Sequence, residues 1–286
     1  MSVFSEIRAR LTAAPPGGRG TDPVYRSDQG SAVTPAARSS VTAATDPPID
    51  PAPTVAPQDF TLTEAQKTFF ESFGFLVLPG LFTKEIGAIA DRFERVFATQ
   101  TPWESREDLH FNEQRLIVPS IIDHDPHLLA LLDDPRVVSI VSALLGDDYI
   151  GGQSDGSLFS CETSWHADTF GAPMEQRHVK LSFYLDPLDV ASGAIRLLPG
   201  TNHHLTPYAR NLRRDLDDPA KIESIFGVTP DAIPSWTIGS RPGDLIAWDF
   251  RTIHASFNGS ARRRLLSLNF KENLANSSPS SAPPAD

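Results

Sequence analysis

The sequence predicts an α+β fold, with helices packed on a sandwich or barrel of antiparallel strands. Helix-like segments fill the first half of the predicted domain, and strand-like segments separated by Gly, Pro and Asn turns fill the second half. The chain has 286 residues, of which 40% are hydrophobic, so it is long enough and apolar enough to bury a sizeable core.

Composition divides the chain into three parts. Residues 1–58 are rich in Pro, Ala, Thr and Ser, and residues 276–286 have a similar composition. Such stretches bury too little apolar surface to offset the entropy of ordering them. The sequence therefore predicts a disordered leader over 1–58, a folded domain over 59–275 and a disordered tail over 276–286.

Charge and cysteine content exclude several classes of protein. Lys and Arg total 25 against 36 Asp and Glu, and this acidic balance argues against a nucleic-acid partner. The single cysteine, Cys161, cannot form an internal disulfide or a cysteine-based metal site. Neither a secretory signal nor an apolar run of membrane-spanning length is found, so we expect a cytoplasmic protein without a membrane partner. The oligomeric state stays open.

Start and stop signals, together with apolar residues at helical spacing, place three helices before the strand-rich half. Thr63 and Gln66 form a capping-box pattern ahead of a helix that ends at Gly74. Pro135 suits the first position of another helix, which ends at Gly146. Between them, a helix carries apolar residues at helical spacing: Ile86, Ile89, Ala90, Phe93 and Phe97.

Strand patterns dominate the second half. In the segment 179–185, apolar residues alternate with Lys180, Ser182 and Tyr184, which is typical of a strand with one apolar and one polar face. The remaining strand-like runs of this half are Ala194–Leu198, Leu245–Phe250 and Leu265–Phe270. One short run, Phe75–Leu78, lies among the predicted helices.

Three residues in the strand-rich half form a candidate metal site. His166 and Asp168 are two residues apart, so on a strand they point to the same face. His254, directly after the strand 245–250, could complete the site. Two imidazoles and one carboxylate leave three adjacent octahedral positions open, as in the facial triad of non-haem Fe(II) oxygenases. An isolated His-x-Asp pair is common, and a surface pair is its ordinary interpretation.

The residues after His254 strengthen the metal-site interpretation. Ser256 follows two residues later, and the run Arg262–Arg264 comes shortly after. A keto acid that chelates iron through one end presents a distant carboxylate, which a guanidinium and a hydroxyl can bind. Ser256 and one of these arginines could supply both groups.

The sequence resembles the phytanoyl-CoA dioxygenase family of Fe(II)- and 2-oxoglutarate-dependent oxygenases over roughly Phe60 to Asn273. Segments similar to the family's motifs occur in the family's order: Gly74–Gly80, Trp165–Asp168, Ser192–Asn202 and Gly243–His254. The resemblance implies a double-stranded β-helix (jelly roll) with N-terminal helices packed on it. It also implies Fe(II) held by His166, Asp168 and His254, with 2-oxoglutarate and O₂ as co-substrates and a small molecule as substrate.

Strand alternation helps to decide which of two arginines is expected to hold 2-oxoglutarate. The family usually places this arginine eleven residues after the second histidine, but the turn here looks shorter, so both Arg263 and Arg264 are candidates. Arg263 shares the polar face of its predicted strand with Ser267 and Asn269, which favours Arg263. Ser256 is expected to assist it.

Three weaker expectations come from position in the chain. Ser182 lies where members of the family contact 2-oxoglutarate, and Gln153 precedes the ligand strand and could reach the far side of the iron. Each also fits an ordinary strand residue. The long, charged segment Leu205–Ile238 could form part of a substrate lid, and a solvated insertion is the alternative.

The resemblance implies oxidative decarboxylation of 2-oxoglutarate, with release of succinate and CO₂, coupled to oxidation of an unactivated C–H bond. Asp168 fills the position that halogenases of this type leave as Gly or Ala, so hydroxylation is favoured, while desaturation, cyclisation and epimerisation stay open. A zinc-dependent hydrolase or isomerase could use the same triad, but it would not need Arg263. A non-catalytic jelly-roll binding module would be expected to have a broken triad. The substrate is open, and a secondary metabolite is a guess from the breadth of the family.

Overall fold

The computed structural model describes residues 59–105, 115–159, 162–169, 176–259 and 262–274. The predicted leader and tail, like Cys161, lie outside these residues. Within the described residues, no helix is long and apolar enough to cross a membrane.

The helices predicted from start and stop signals are present. The capping box forms: the Gln66 backbone N–H donates to Thr63 Oγ1 at 3.2 Å, and the Thr63 N–H donates to Gln66 Oε1 at 2.9 Å. Gly74 then ends the first helix in the left-handed conformation, with φ of 81°. The α-helices are α1 (Glu64–Phe73), α2 (Ile86–Thr99), α3 (Pro126–Leu129), α4 (Pro135–Leu145), α5 (Pro207–Leu216) and α6 (Pro219–Phe226).

The strands form two antiparallel sheets. They are β1 (Phe75–Leu78), β2 (Trp103–Ser105), β3 (Arg115–Pro119), β4 (Tyr149–Phe159), β5 (Thr163–His166), β6 (His178–Tyr184), β7 (Ile195–Leu197), β8 (Trp236–Thr237), β9 (Leu245–Asp249), β10 (His254–Ser256) and β11 (Arg263–Glu272). The large sheet has the order β1-β9-β6-β11-β4-β3-β2, and the small sheet has the order β5-β10-β7-β8. This is the jelly-roll arrangement with N-terminal helices that the sequence predicted.

Strand alternation separates the two faces of the large sheet. On its outer face, Leu181 and Leu266 pack with Phe70, Phe93 and other residues of the helices. Its inner face packs against the small sheet in a second apolar cluster, made by Phe75, Tyr184, Leu188, Ala194, Ile195, Leu197, Ile238, Ile246, Trp248 and Leu265. The interior between the two sheets is therefore lined by apolar side chains from both of them.

The helices of the segment Leu205–Ile238 pack behind the small sheet, and the end of the segment forms β8. Leu216 of α5 and Ile222 of α6 are buried there against Trp165, Ile253 and Phe257. None of the described residues of this segment lines the cavity that contains the predicted triad. The described residues therefore give no support to a substrate lid, because the apolar positions of α5 and α6 cover the outer face of the small sheet. The lid stays a prediction.

Gly74 should be irreplaceable in the connection between α1 and β1. A Cβ at this position would overlap Thr252 Oγ1 and lie 2.8 Å from Asn202 Cβ, in addition to the cost of a positive φ. We expect Gly74→Ala to lower the free energy of unfolding by about 2–5 kcal/mol, measured by urea denaturation. Gly87→Ala, in α2 with no atom near the added methyl, should stabilise by roughly 0.5–1 kcal/mol. Equal effects of the two changes would contradict this account.

Candidate active site

The small sheet brings the three predicted metal ligands together. His166 ends β5 and His254 begins β10, and these two residues are directly opposite each other in the antiparallel pair. Asp168 Oδ1 lies 3.7 Å from Nε2 of each histidine. One ligand atom from each of the three residues lies within 4.8 Å of the other two, so a single ion could contact all three.

Backbone carbonyls orient both imidazole rings. His166 Nδ1 lies 2.8 Å from Ser164 O, and His254 Nδ1 lies 2.9 Å from Thr252 O. A carbonyl oxygen can only accept a hydrogen bond, so each Nδ1 is a protonated donor, and in the neutral ring Nε2 then carries the lone pair. Both Nε2 atoms are therefore ready to bind a metal ion, with their rings fixed by the backbone.

Lys180 of β6 is the charged neighbour of the triad. Its Nζ lies 2.7 Å from Asp168 Oδ2, and both side chains are largely buried. Burial alone would raise the pKa of Asp168, but Lys180, His254 and His166 together hold it well below its usual range. Asp168 is therefore ionised at neutral pH, as a metal ligand must be.

Arg263 and Ser256 lie side by side in the same cavity. The Arg263 guanidinium donates to Ser256 Oγ, and its Nη1 also donates to Gly193 O at 2.5 Å. Arg264 points to the opposite side of β11, where it pairs with Asp186 and Glu94. Strand alternation therefore separates the two candidate arginines as expected, with Arg263 facing the triad.

The two weaker candidates, Ser182 and Gln153, are not among the residues that line the cavity. Ser182 is fully buried on the inner face of β6, and its hydroxyl has no hydrogen-bond partner among the described residues. It is flanked by Lys180 and Tyr184, which line the cavity, but Ser182 itself does not. Gln153 is exposed on β4 and also does not line the cavity. The structure therefore gives no support to a role for Gln153 at the metal site.

Several cavity residues were not predicted from the sequence. One is Trp248, whose ring centre lies 5.6 Å from that of His254. Another is Tyr184, and burial raises the pKa of its hydroxyl to about 12 despite the nearby Arg263. Arg115 comes from β3, for which no strand was predicted. Alternation in the predicted strands could have found Trp248 and Tyr184, but only sheet pairing reveals Arg115. The described residues lining the cavity are Arg115, Phe159, Thr163, His166, Asp168, Lys180, Tyr184, Ile195, Trp248, His254, Ala255, Ser256, Arg263 and Leu265.

Solved structures share this fold at low sequence identity. The non-haem α-ketoglutarate-dependent carbocyclase SnoK from nogalamycin biosynthesis is 20% identical, with a TM-score of 0.58, over 74% of this chain and 84% of its own. The epimerase SnoN, in complex with Fe³⁺, α-ketoglutarate (2-oxoglutarate) and nogalamycin RO, is 18% identical, with a TM-score of 0.58, over 77% and 91%. HygX from Streptomyces hygroscopicus, with nickel and 2-oxoglutarate bound, is 16% identical, with a TM-score of 0.57, over 74% and 88%.

Sequence comparison identifies the family. A search of curated proteins found no match. The model of the phytanoyl-CoA dioxygenase family (PhyH), however, matches residues 70–265, which is more than half of the chain and includes the triad and Arg263. The chain therefore belongs to the phytanoyl-CoA dioxygenase family.

Proposed function

We propose that this protein is an Fe(II)- and 2-oxoglutarate-dependent dioxygenase that hydroxylates a small-molecule metabolite and releases succinate and CO₂. One observation carries the proposal. A complete His-Asp-His triad faces the same cavity as a buried arginine and serine that could bind a distant carboxylate. Family membership and the ligands in the solved relatives SnoN and HygX support it.

The donor set fits Fe(II). His166 and His254 each offer a lone pair on Nε2, and Asp168 offers an ionised Oδ1 equally far from both. A two-histidine, one-carboxylate set on one side of an ion is the arrangement that leaves positions for co-substrates. When bound, Fe(II) supplies the oxidising chemistry with 2-oxoglutarate and O₂, while the protein supplies binding and orientation.

Arg263 and Ser256, which line the same cavity as the triad, fit the far carboxylate of 2-oxoglutarate. Arg263 is 3% exposed and Ser256 is 7% exposed, so their charge and hydroxyl are shielded from water. A buried guanidinium is stabilised by an anion that accepts its hydrogen bonds. Trp248 and Phe159 add aromatic side chains to the lining of the same cavity. Ser182, whose buried hydroxyl has no hydrogen-bond partner within the described part of the chain, stays a weaker candidate for contact with 2-oxoglutarate.

The kind of oxidation is the finer part of the proposal. The solved relatives include a carbocyclase and an epimerase, so the fold alone does not select hydroxylation. Asp168 argues against halogenation, because its carboxylate occupies the place that a halide would need. A cytoplasmic location and a substrate from secondary metabolism stay predictions within this proposal.

The decisive experiment is an anaerobic titration of the apoprotein with Fe(II) and then with 2-oxoglutarate. We expect the weak visible charge-transfer band of the chelated keto acid to appear and saturate. An iron-loaded, folded protein without this band would overturn the proposal and favour a zinc hydrolase, an isomerase or a binding module. Candidate substrates can then be screened by succinate release.

Product mass then tests the reaction type. A product that gains one oxygen atom supports hydroxylation. Loss of two hydrogens indicates desaturation or cyclisation, and an unchanged mass indicates epimerisation, so either result would replace hydroxylation while leaving the dioxygenase in place.

A further inference from the structure

The two oxygens of the Asp168 carboxylate have different neighbours. Oδ1 lies 3.7 Å from both histidine Nε2 atoms, whereas Oδ2 lies 2.7 Å from Lys180 Nζ. One oxygen therefore faces the place of a metal ion, and the other is held by an ammonium group on the facing sheet.

Lys180 is fixed in this position by its strand and by two aromatic rings. It lies on β6 directly opposite Trp248 of β9. Its Nζ is 5.5 Å from the centre of a Trp248 ring and 5.1 Å from that of Phe250. The lysine side chain is 12% exposed and that of Asp168 is 14% exposed. An ammonium in such surroundings is costly unless it is paired, although contact with ring faces also stabilises it.

This pairing restricts how Asp168 can bind a metal. If the carboxylate turned to offer both oxygens to the metal, Oδ2 would move away from Lys180. Lys180 would then be a buried cation without its carboxylate partner, which is unfavourable. We propose that Lys180 is a positioning residue that keeps Asp168 a one-oxygen ligand, so that three adjacent coordination positions stay available. The inference rests on the metal site of the proposed function and concerns a residue outside the triad.

The proposal has a signature that a purely structural role lacks. A cation beside a metal-binding carboxylate repels the incoming ion and weakens the carboxylate as a donor. Removing the cation should therefore leave metal affinity unchanged or raise it, while the freed second oxygen takes a coordination position. A residue that merely supported the fold would instead lower metal affinity when removed.

The test compares Lys180→Met, which keeps the length of the side chain, with Lys180→Arg, which keeps the charge. Lys221→Met is the matched control, because Lys221 lies exposed on α6 and outside the cavity. Each protein is titrated anaerobically with Fe(II) alone, then loaded with 2-oxoglutarate and titrated with nitric oxide. The electron paramagnetic resonance signal of the nitric oxide adduct reports whether a coordination position is open.

We expect Lys180→Met to bind Fe(II) at least as tightly as the wild type, because the repelling charge is gone. It should need about tenfold more nitric oxide for half of the signal, which is equivalent to about 1.4 kcal/mol. Lys180→Arg should restore the response to nitric oxide, and Lys221→Met should match the wild type. Weaker Fe(II) binding in Lys180→Met, or an unchanged nitric oxide titration, would overturn the proposal. Absence of the charge-transfer band in the wild type would instead refute the proposed function.

A measurement on the wild type keeps the proposal open to refutation if Lys180→Met does not fold. The infrared difference spectrum between Fe(II)-loaded and metal-free protein contains the two carboxylate stretches of Asp168, assigned by their loss in Asp168→Asn. A wide separation of these stretches is expected for binding through one oxygen. A narrow separation, typical of binding through both, would contradict a positioning role for Lys180.

Discussion

His166→Ala is expected to weaken Fe(II) binding severely while leaving the protein folded. The imidazole of His166 supplies one of the three ligands. His166 is the last residue of β5, and its side chain lines the cavity and is only 14% exposed. Loss of one of the three ligands removes a bond to the ion outright, so we expect at least about a 100-fold fall in Fe(II) affinity. His166 is a better choice than Asp168, whose removal would also leave Lys180 without its carboxylate.

Thermal or urea unfolding with and without Fe(II) measures this effect independently of any substrate. At 100 times its dissociation constant, Fe(II) should raise the free energy of unfolding of the wild type by about 2.7 kcal/mol. His166→Ala should show no such increase, yet unfold like the metal-free wild type. Full stabilisation of His166→Ala by Fe(II) would show that the ion binds elsewhere.

Arg263→Ala is expected to raise the concentration of 2-oxoglutarate needed to form the charge-transfer band by at least about 30-fold. This corresponds to roughly 2 kcal/mol, the low end for removing one partner of a buried, hydrogen-bonded charge pair. The fold should tolerate the change, because Ser256 Oγ still donates to Gly193 O at 2.8 Å. Fe(II) binding should be unaffected, since the hydrogen bonds of Arg263 described above go to Gly193 and Ser256 and not to the triad.

Arg264→Ala is the matched control, one residue away on the other face of β11. It removes the ion pairs with Asp186 and Glu94 outside the cavity, so it should alter stability but not the affinity for 2-oxoglutarate. Arg263→Lys should recover only part of the affinity, because an ammonium lacks the planar fork that binds a carboxylate through two hydrogen bonds. A larger effect of Arg264→Ala than of Arg263→Ala would reverse the assignment.

Local patterns in the sequence were enough to predict the helices α1, α2 and α4 and to favour Arg263 over Arg264. Caps at Thr63 and Gly74 fix the ends of α1, because backbone donors and a left-handed turn need particular residues. Period-two alternation placed Arg263 inside and Arg264 outside, since a strand has only two faces. The triad was predicted from spacing and family resemblance together, and the sheet pairing of His166 with His254 shows why two distant segments meet.

Contacts between distant segments were beyond these patterns. The pairing of Lys180 with Asp168 depends on which strands of the two sheets face each other, and strand alternation contains no such information. Arg115 reaches the cavity because β3 pairs with β4. The helices of Leu205–Ile238 looked like a charged surface segment because only a few of their residues, such as Leu216 and Ile222, are apolar and buried.

The candidate site is divided between two sheets. The small sheet carries both histidines and Ser256, while the large sheet carries Arg263 and Lys180. Neither sheet alone could hold the metal and the co-substrate in register, so the site exists only while the whole domain is assembled. Binding of 2-oxoglutarate therefore reports whether the whole domain is folded. During denaturation, it should be lost together with the main cooperative unfolding transition rather than before it.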